Sequence, residues 1–479
     1  MTITVETSFG KSGIETFEEL IASAYEMAMQ IGRDFVVKTL EAHDRTLMET
    51  RDRSRFRGKG KQRTSIKTKL GVIEYSRNVY VDRSVSEGIK CVHLLDEDLG
   101  IEKIGQIAKD VCEAAANLVC ESSYRASARA IAETTGLSIS AQGVWNIVQA
   151  LGTQRREQIE LHAQLAREHR GLGCIVSKVL YEENDGVYLK LQGKSREQYG
   201  PSKEMKVGIA YDGATVQTGK GGKQRRTLDC KVAHASFEPA QAFREHKEGV
   251  IASRFDVDEV ELRIINGDGA NWIQKKDGTD CICVLDRFHR NKKLTECIKD
   301  KDFLETARAL LFSNRIDDLL TCIAAQIDST ENEEERDRLR DLLMYYTENK
   351  DAMLSPYERG IKIPETREPG VIHHARLGSM ESNIFTLIGN RMKGRRCCWS
   401  IRGGDNLAAI LCEKYTNDFS ALFSETIPEV SADCRNPLSA AKAPRSAGSG
   451  YECYSRATIP NIPWLRDLTG LRPFTDFAF

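Results

Sequence analysis

The chain has 479 residues, 41% hydrophobic and 29% charged, with a formal net charge of −1. Such a length and balance describe a globular protein of several domains, and with no run of about 18 apolar residues a helical membrane span is excluded. The opening "MTITVETSFGKSG" lacks the basic and apolar regions of a secretory signal, and fourteen scattered cysteines form no CxxC pair, so reduced thiols and a cytoplasmic location are expected.

Taken in order, residues 14–52 form an amphipathic helix with Phe17, Leu20, Ile21 and Tyr25 at helical spacing, suited to dimerisation or to packing on a neighbouring domain. From Arg51 to Lys69, nine of nineteen residues are Lys or Arg against one acid. Two strand-like stretches, "TSIKTKLGVIEY" and "RNVYVDRS", accompany this run. A solvated basic hairpin is the plain alternative, but this density of cations favours a polyanion contact through Arg55, Arg57, Lys59, Lys61 and Arg63. Residues 101–151 are helical by pattern. A helix around Ala128 and Ile131 stops at Gly136; Ser138 or Ser140 caps the next, whose Val144, Ile147, Val148 and Leu151 repeat at i, i+3, i+4, i+7. This spacing predicts a helix-turn-helix, with Gln142 and Asn146 exposed near the second helix's start and Arg125 near the first. A plain helical hairpin is the competing reading. A separate polar helix is expected over 154–170.

Three strands follow: "CIVSKVLYEENDGVYLKLQG", "MKVGIAYDGATVQ" and "RTLDCKVAHASF". After a helix, "AQAFREHKEGVIASRF", Leu262–Ile265 form a strand ending in Asn266-Gly267-Asp268-Gly269, and Cys281–Leu285 one ending in Asp286, with His289 three residues on. A carboxylate at a strand's C-terminal end stands where open α/β sheets bind ligands. The order predicts an α/β, ribonuclease-H-like domain. Residues 291–376, rich in helix formers, read as an all-α insertion, after which the α/β domain resumes with "GSMESNIFTLIGNRMKGRRCCWS". There Glu381 precedes Ile384 and Ile388 by three and seven residues, which puts it on an inward apolar face, costly for a carboxylate unless paired or metal-bound. Beyond about 425 the chain is a Pro/Ser/Ala-rich tail. The expected divisions are 1–50 (helix), 51–95 (basic β-hairpin), 96–170 (helical DNA-binding region), 171–290 (catalytic core, first part), 291–376 (insertion), 377–425 (core, second part) and 426–479 (tail).

These residues resemble the Mutator-like superfamily of DDE transposases and, more narrowly, bacterial insertion-sequence transposases of the ISLre group. The likeness runs to about residue 425 and includes "RTSIKTKLGVIEYSRNVYVD" and "LLDEDLGI". It implies a metal-binding triad of Asp185 in "NDGVYLKLQG", Asp268 in "INGDGA" and Glu381, with Glu183 the neighbouring alternative for the first acid. The superfamily's Cys-or-Asp, two residues, His signature is met by Asp286 and His289. It further implies two Mg²⁺ or Mn²⁺ ions per site, no small-molecule cofactor, double-stranded DNA as partner, a dimer or larger assembly on DNA, and association with the nucleoid.

Hard oxygen donors from separate segments suit Mg²⁺, and two such ions activate a water or 3′-hydroxyl and stabilise the leaving oxygen of a phosphodiester. His289 is expected to orient the phosphate or a water, or else to be structural. Lys393, Arg395 and Arg396, in the run after Glu381, and the loop Gly219–Arg226 are expected near phosphates or as solvated surface. A zinc site from Cys281, Cys283 and His289 lacks a fourth ligand. Two other functions stay open: a nuclease without strand transfer, and a non-catalytic DNA-binding protein. Asp185, Asp212 and Asp268 all precede glycine near strand ends; topology is expected to leave Asp212 outside the acidic cluster, in a turn.

Overall fold

Two five-stranded sheets organise the chain. The computed structural model describes residues 16–84, 90–219, 221–222, 224–273, 281–365, 377–394, 397–416 and 419–423, all within one compact unit, Met1–Glu429. The expected tail at 426–479 therefore lies outside the described residues, as do Arg395 and Arg396.

The first sheet forms from a local hairpin. Helix α1 (Phe17–Thr50) starts at a capping box, in which the Thr16 hydroxyl accepts the Glu19 N–H and the Glu19 carboxylate accepts that of Thr16. Its second half packs Val36, Val37, Leu40 and Leu47 onto Ile66, Ile73 and Tyr75 of β1 (Phe56–Thr68) and β2 (Gly71–Asp82). The hairpin turns at Lys69–Leu70, with Gly71 at φ +103°, so "GVIEYSRNVYVD" is one strand rather than parts of two. β3 (Lys90–Val92), α2 (Leu94–Asp98), β4 (Lys103–Ile104) and β5 (Ile107–Ala108) follow, giving the order β3-β2-β1-β5-β4. The region expected to be wholly helical from 101 thus begins with two short strands.

Three helices come next: α3 (Lys109–Glu121), α4 (Tyr124–Thr135) and α5 (Ala141–Arg167). Gly136 closes α4 at φ +67°, and the Ser140 side chain accepts the Gly143 N–H at 3.0 Å. Val144, Ile147, Val148 and Leu151 are fully buried, as their spacing predicts. The separate helix expected at 154–170 is instead the continuation of α5. Gly152 does not break it; a Cβ there would stand 2.5 Å from Asn406, so the glycine admits a neighbouring helix at close range.

The second sheet joins β6 (Val179–Lys190), β7 (Ser202–Tyr211), β10 (Val232–Ser236), β11 (Leu262–Gly267) and β12 (Cys281–Leu285) in the order β10-β7-β6-β11-β12; α6 (Gly193–Tyr199) links β6 to β7. β10, β7 and β6 are antiparallel, whereas β6, β11 and β12 are parallel. Two expected strands each break in the middle, at Asp212 and at Cys230–Lys231, so that β8 (Gly213–Thr218) and β9 (Gln224–Asp229) leave as a separate hairpin. Cys230 marks one break with φ +49°. Helix α7 (Ala240–Ala252) packs between β10 and α5. Of the region read as an insertion, 291–376, the described part runs to 365 and is α-helical as far as Glu348: α8 (Arg287–Cys297), α9 (Lys301–Phe312), α10 (Ile316–Ser329) and α11 (Glu333–Glu348) enclose their own core of Leu294, Leu311, Leu319, Ile323, Leu342 and Tyr346. The chain then returns to the sheet through α12 (Met380–Ile384), which passes directly into π-helix at Phe385–Lys393, and α13 (Ile401–Thr416). Among the described residues no helix is long and apolar enough to cross a membrane.

Candidate active site

β11 and β12 end on the same side of the sheet with Asp268 and Asp286 just beyond them, and Asp185 stands level with these ends midway along the longer β6. Asn266 of β11 pairs with Glu183 of β6; two residues further on, Asp268 comes level with Asp185. Gly267 pairs with Leu285, and the Asp286 N–H donates to the Gly267 carbonyl at 2.7 Å. The crevice is lined by Asp185, Asn266, Asp286, His289, Met380 and Glu381. Asp268 stands at its side, near enough for its charge to act on Asp185 and His289. The Asp268 carboxylate accepts the Ala270 N–H at 2.9 Å, and its carbonyl accepts the Tyr345 hydroxyl from the insertion at 2.6 Å. Gly269 adopts φ +88°, and a Cβ there would lie 3.0 Å from Asn349 Oδ1, so both backbone and space require glycine.

Asp286 caps α8, accepting the N–H groups of Phe288 and His289 at 2.9 and 3.1 Å. It also lies 3.3 Å from His289 Nδ1, while His289 Nε2 stands 3.8 Å from Asp185 Oδ2. The Asp286 contact, followed by the charge of Asp185, raises the His289 pKa against the effect of burial. Asp185 is pushed up to about 6, chiefly by burial and further by Asp268 and Glu381, although His289 and the Gly186 N–H act the other way. Burial also opposes ionisation of Asp286, but the His289 contact, its N–H and the Asn266 amide together hold it below the ordinary range.

Glu381 departs from expectation. It is exposed on the rim, with Met380, Asn383, Leu387 and Ile388 buried instead. The π-helical winding from Phe385 explains this: at more residues per turn, the stripe through Ile388 no longer projects back onto Glu381. Its position is fixed by Glu183, which is fully buried and accepts from the Gly378 N–H (2.7 Å), the Ser379 N–H (3.0 Å) and hydroxyl, the Tyr211 hydroxyl (2.8 Å) and the Asn266 amide (3.0 Å). Glu183 is therefore a saturated strut from β6 to the start of α12, not the first acid of the crevice. Its role is invisible in the sequence because its partners are non-local, from 28 residues away at Tyr211 to 196 at Ser379.

Asp212 stands apart from the crevice acids. It occupies the bend between β7 and β8, and it is fully buried there. Because β7 runs antiparallel to β6 and Tyr211 pairs with Tyr181, Asp212 falls opposite Leu180, five residues and roughly 17 Å along the strand from Asp185.

The basic residues divide. Arg57, Lys59, Lys61 and Arg63 are exposed along β1, which pairs with β5 only at Lys67 and so leaves much of one edge open. Arg63 is engaged by Glu74, and Arg55 by Asp82 through Nε and Nη2. Arg125 and Lys393 are exposed. Gln142 donates to Asn146 at 3.0 Å on the exposed side of α5. Arg391, two residues before Lys393, is by contrast buried between Tyr124 and Trp399 and donates to the Val119 carbonyl. Cys281, Cys283 and His289 do not gather: among the described residues, the group whose ligand atoms all lie within 4.8 Å of one another is His234, Glu238 and His246, on other elements.

A sequence model of an uncharacterised protein family, UPF0236, matches residues 11–417. The chain belongs to that family. The match spans the basic hairpin, both sheets, the helical insertion and the helix carrying Glu381, so these parts are family features and not additions peculiar to this chain. No curated protein matches the chain.

Proposed function

We propose that this member of UPF0236 is a DDE transposase with a ribonuclease-H-like catalytic domain, which binds the ends of an insertion sequence, cleaves DNA phosphodiesters and joins the freed 3′-hydroxyls to target DNA. The observation that carries the reading is the meeting of Asp185 and Asp268, level on adjacent parallel strands, with Glu381 on the rim of the same crevice after an all-α insertion. The strand order, three antiparallel strands followed by two parallel to the first, supports the same fold.

The donor set fits hard divalent cations: three carboxylates converge, and too little positive charge faces Asp185 to keep its pKa low. Bound as a pair, Mg²⁺ or Mn²⁺ supplies activation of the attacking oxygen and stabilisation of the leaving one. Asp185, Asp268 and Glu381 would hold the ions. Asp286 fixes His289, whose raised pKa favours an imidazolium able to orient a scissile phosphate at the floor of the crevice. Glu183 keeps Glu381 in place without touching substrate. Arg57, Lys59 and Lys61 on the open edge of β1 present cations to a DNA backbone. Gln142 and Asn146 satisfy each other in the free protein and must part to read base edges from α5. The protein would act as a dimer or larger assembly, with Phe17, Ile21 and Tyr25 exposed on the first half of α1 as the seam, and would be cytoplasmic and nucleoid-associated.

The test incubates the full chain with duplexes carrying the flanking element ends, a supercoiled plasmid and Mg²⁺. Cleaved ends bearing 3′-hydroxyls and joined plasmid products are expected from wild type and lost in Asp268→Asn. Cleavage without joining would favour a nuclease lacking strand transfer. Binding without cleavage in either Mg²⁺ or Mn²⁺ would leave a DNA-binding protein and overturn the catalytic reading.

A further inference from the structure

We propose that His234, Glu238 and His246 form a binding site for one transition-metal ion, with zinc the ion best suited to its donors, separate from the acidic crevice. His234 lies on β10 beside Gly208 of β7, which in turn lies beside Asn184 of β6. Side chains alternate along a strand, so His234 is on the sheet face opposite Asp185 and two strands away. The run "HASFE" sets His234 and Glu238 four residues apart at the end of β10, and α7 returns His246 to them.

Three observations point to a ligand. First, His234 is 5% exposed, and its Nε2 has no hydrogen-bond partner among the described residues. A buried ring nitrogen left so is costly unless something fills its place. Second, Glu238 Oε2 lies 3.7 Å from that nitrogen and 2.7 Å from His246 Nδ1, while Arg156 holds Oε1 at 3.2 Å and the Ser236 hydroxyl donates to Oε2 at 3.1 Å. The three ligand atoms lie within 4.8 Å of one another. Tetrahedral zinc with bonds of about 2.0–2.1 Å needs its donors roughly 3.3 Å apart; from the present separations His234 must close on Glu238 by a few tenths of an ångström, His246 must part from it by about half an ångström, and the two histidines, within 4.8 Å of each other, must close by at most about 1.5 Å. Third, His246 Nε2 lies 2.6 Å from Glu160 Oε2. A carboxylate behind a histidine fixes the tautomer that presents the other nitrogen to a metal.

Two imidazoles and a carboxylate are a donor set for zinc rather than magnesium, and the adjoining cavity, lined by Thr153, Arg156 and Ile159 as well, leaves a fourth position for water. The ion would pin α7 to the end of β10. Lys247, beside His246, donates to Glu182 and Asn184 on the strand that carries Asp185, so this site would brace the catalytic sheet from behind.

The test uses chelator-treated full chain titrated with Zn²⁺ alone, and with Co²⁺ for its visible spectrum. Wild type should take up one equivalent with tetrahedral Co²⁺ bands and a raised melting temperature. Asp268→Asn should keep both. Glu160→Gln should lose about 10–100-fold in affinity, the usual cost of an outer partner, with His234→Gln and His246→Gln losing more. No bound equivalent in wild type, or one that survives both histidine changes, overturns the site. Should the histidine variants fail to fold, Glu160→Gln on its exposed side chain decides: unchanged affinity there contradicts the arrangement.

Discussion

The two faces of β6 carry buried acids of opposite character. On one face Glu182 meets Lys247 at 2.5 Å and Arg263 at 3.2 Å, which hold its carboxyl below the ordinary range despite full burial. On the other, Asp185 has the Gly186 N–H at 2.7 Å and His289 only at 3.8 Å, with two further acids nearby, and its pKa rises to about 6. Three residues along the strand, an odd step that changes the face, separate a completed ion pair from an acid short of positive charge. Burial of a charge therefore does not mark function; burial without neutralisation, facing a crevice, does.

The largest effect should come from breaking the completed side. Lys247→Met leaves Glu182 to Arg263 alone and strips Asn184 of its donor; urea unfolding should show a loss of about 3–5 kcal/mol, the usual cost of half a buried pair. A loss below about 1 kcal/mol would erase the contrast. Adding Glu182→Gln should recover most of it.

Asp405 sharpens the comparison, because it is a raised acid with a structural role. It is buried in α13, accepts the Phe237 N–H at 2.8 Å, and is pushed up to about 6 mainly by burial. Its folded pKa lies above the ordinary 3.8, so the fold favours the protonated form, and stability falls as pH rises from about 4 to about 6 and stays lower above. Asp405→Asn keeps an acceptor without the charge. It should gain up to about 3 kcal/mol at pH 8, from roughly two units at 1.4 kcal/mol each, and almost nothing at pH 4. Thermal melts at the two pH values measure the difference; an equal change at both would contradict it.

Smaller again is Ser379→Ala, which removes one hydroxyl from Glu183. About 2 kcal/mol of stability is expected, as for a hydrogen bond to a charged group, with slower cleavage and unchanged DNA affinity. Smallest are Arg57→Ala and Lys61→Ala. Each should weaken DNA binding uniformly across sequences and lower the salt slope by about 1; an unchanged slope would remove β1 from the interface.

What was legible in the sequence was local. The spacing of Phe17 to Thr50 gives α1, that of Val144 to Leu151 gives the buried face of α5, and the apolar runs before Asp268 and Asp286 give two parallel strands. What escaped was non-local or depended on winding. Strand propensity continues through Asp212 and Cys230, so nothing local announces that β8 and β9 leave the sheet. Gly152 reads as a weak point until Asn406 is seen against it. Glu381 obeys a 3.6-residue stripe that π-helix does not follow. Glu183 and His234 acquire their roles from partners on other elements.

The central claim is that position beside the carboxyl end of β11, where Asp185 of β6 comes level with Asp268, rather than an Asp-Gly pair as such, makes the catalytic site. The direct measurement compares Asp185→Asn with Asp212→Asn in Mg²⁺-dependent cleavage of element-end DNA, normalised to folded protein. The two aspartates both precede glycine but stand five residues, roughly 17 Å, apart along β6. Cleavage should fall by about a thousand-fold or more in Asp185→Asn, with DNA binding intact, and remain within about ten-fold of wild type in Asp212→Asn. An active Asp185→Asn beside an inactive, folded Asp212→Asn would contradict the account and move the site to the end of β7, at Asp212.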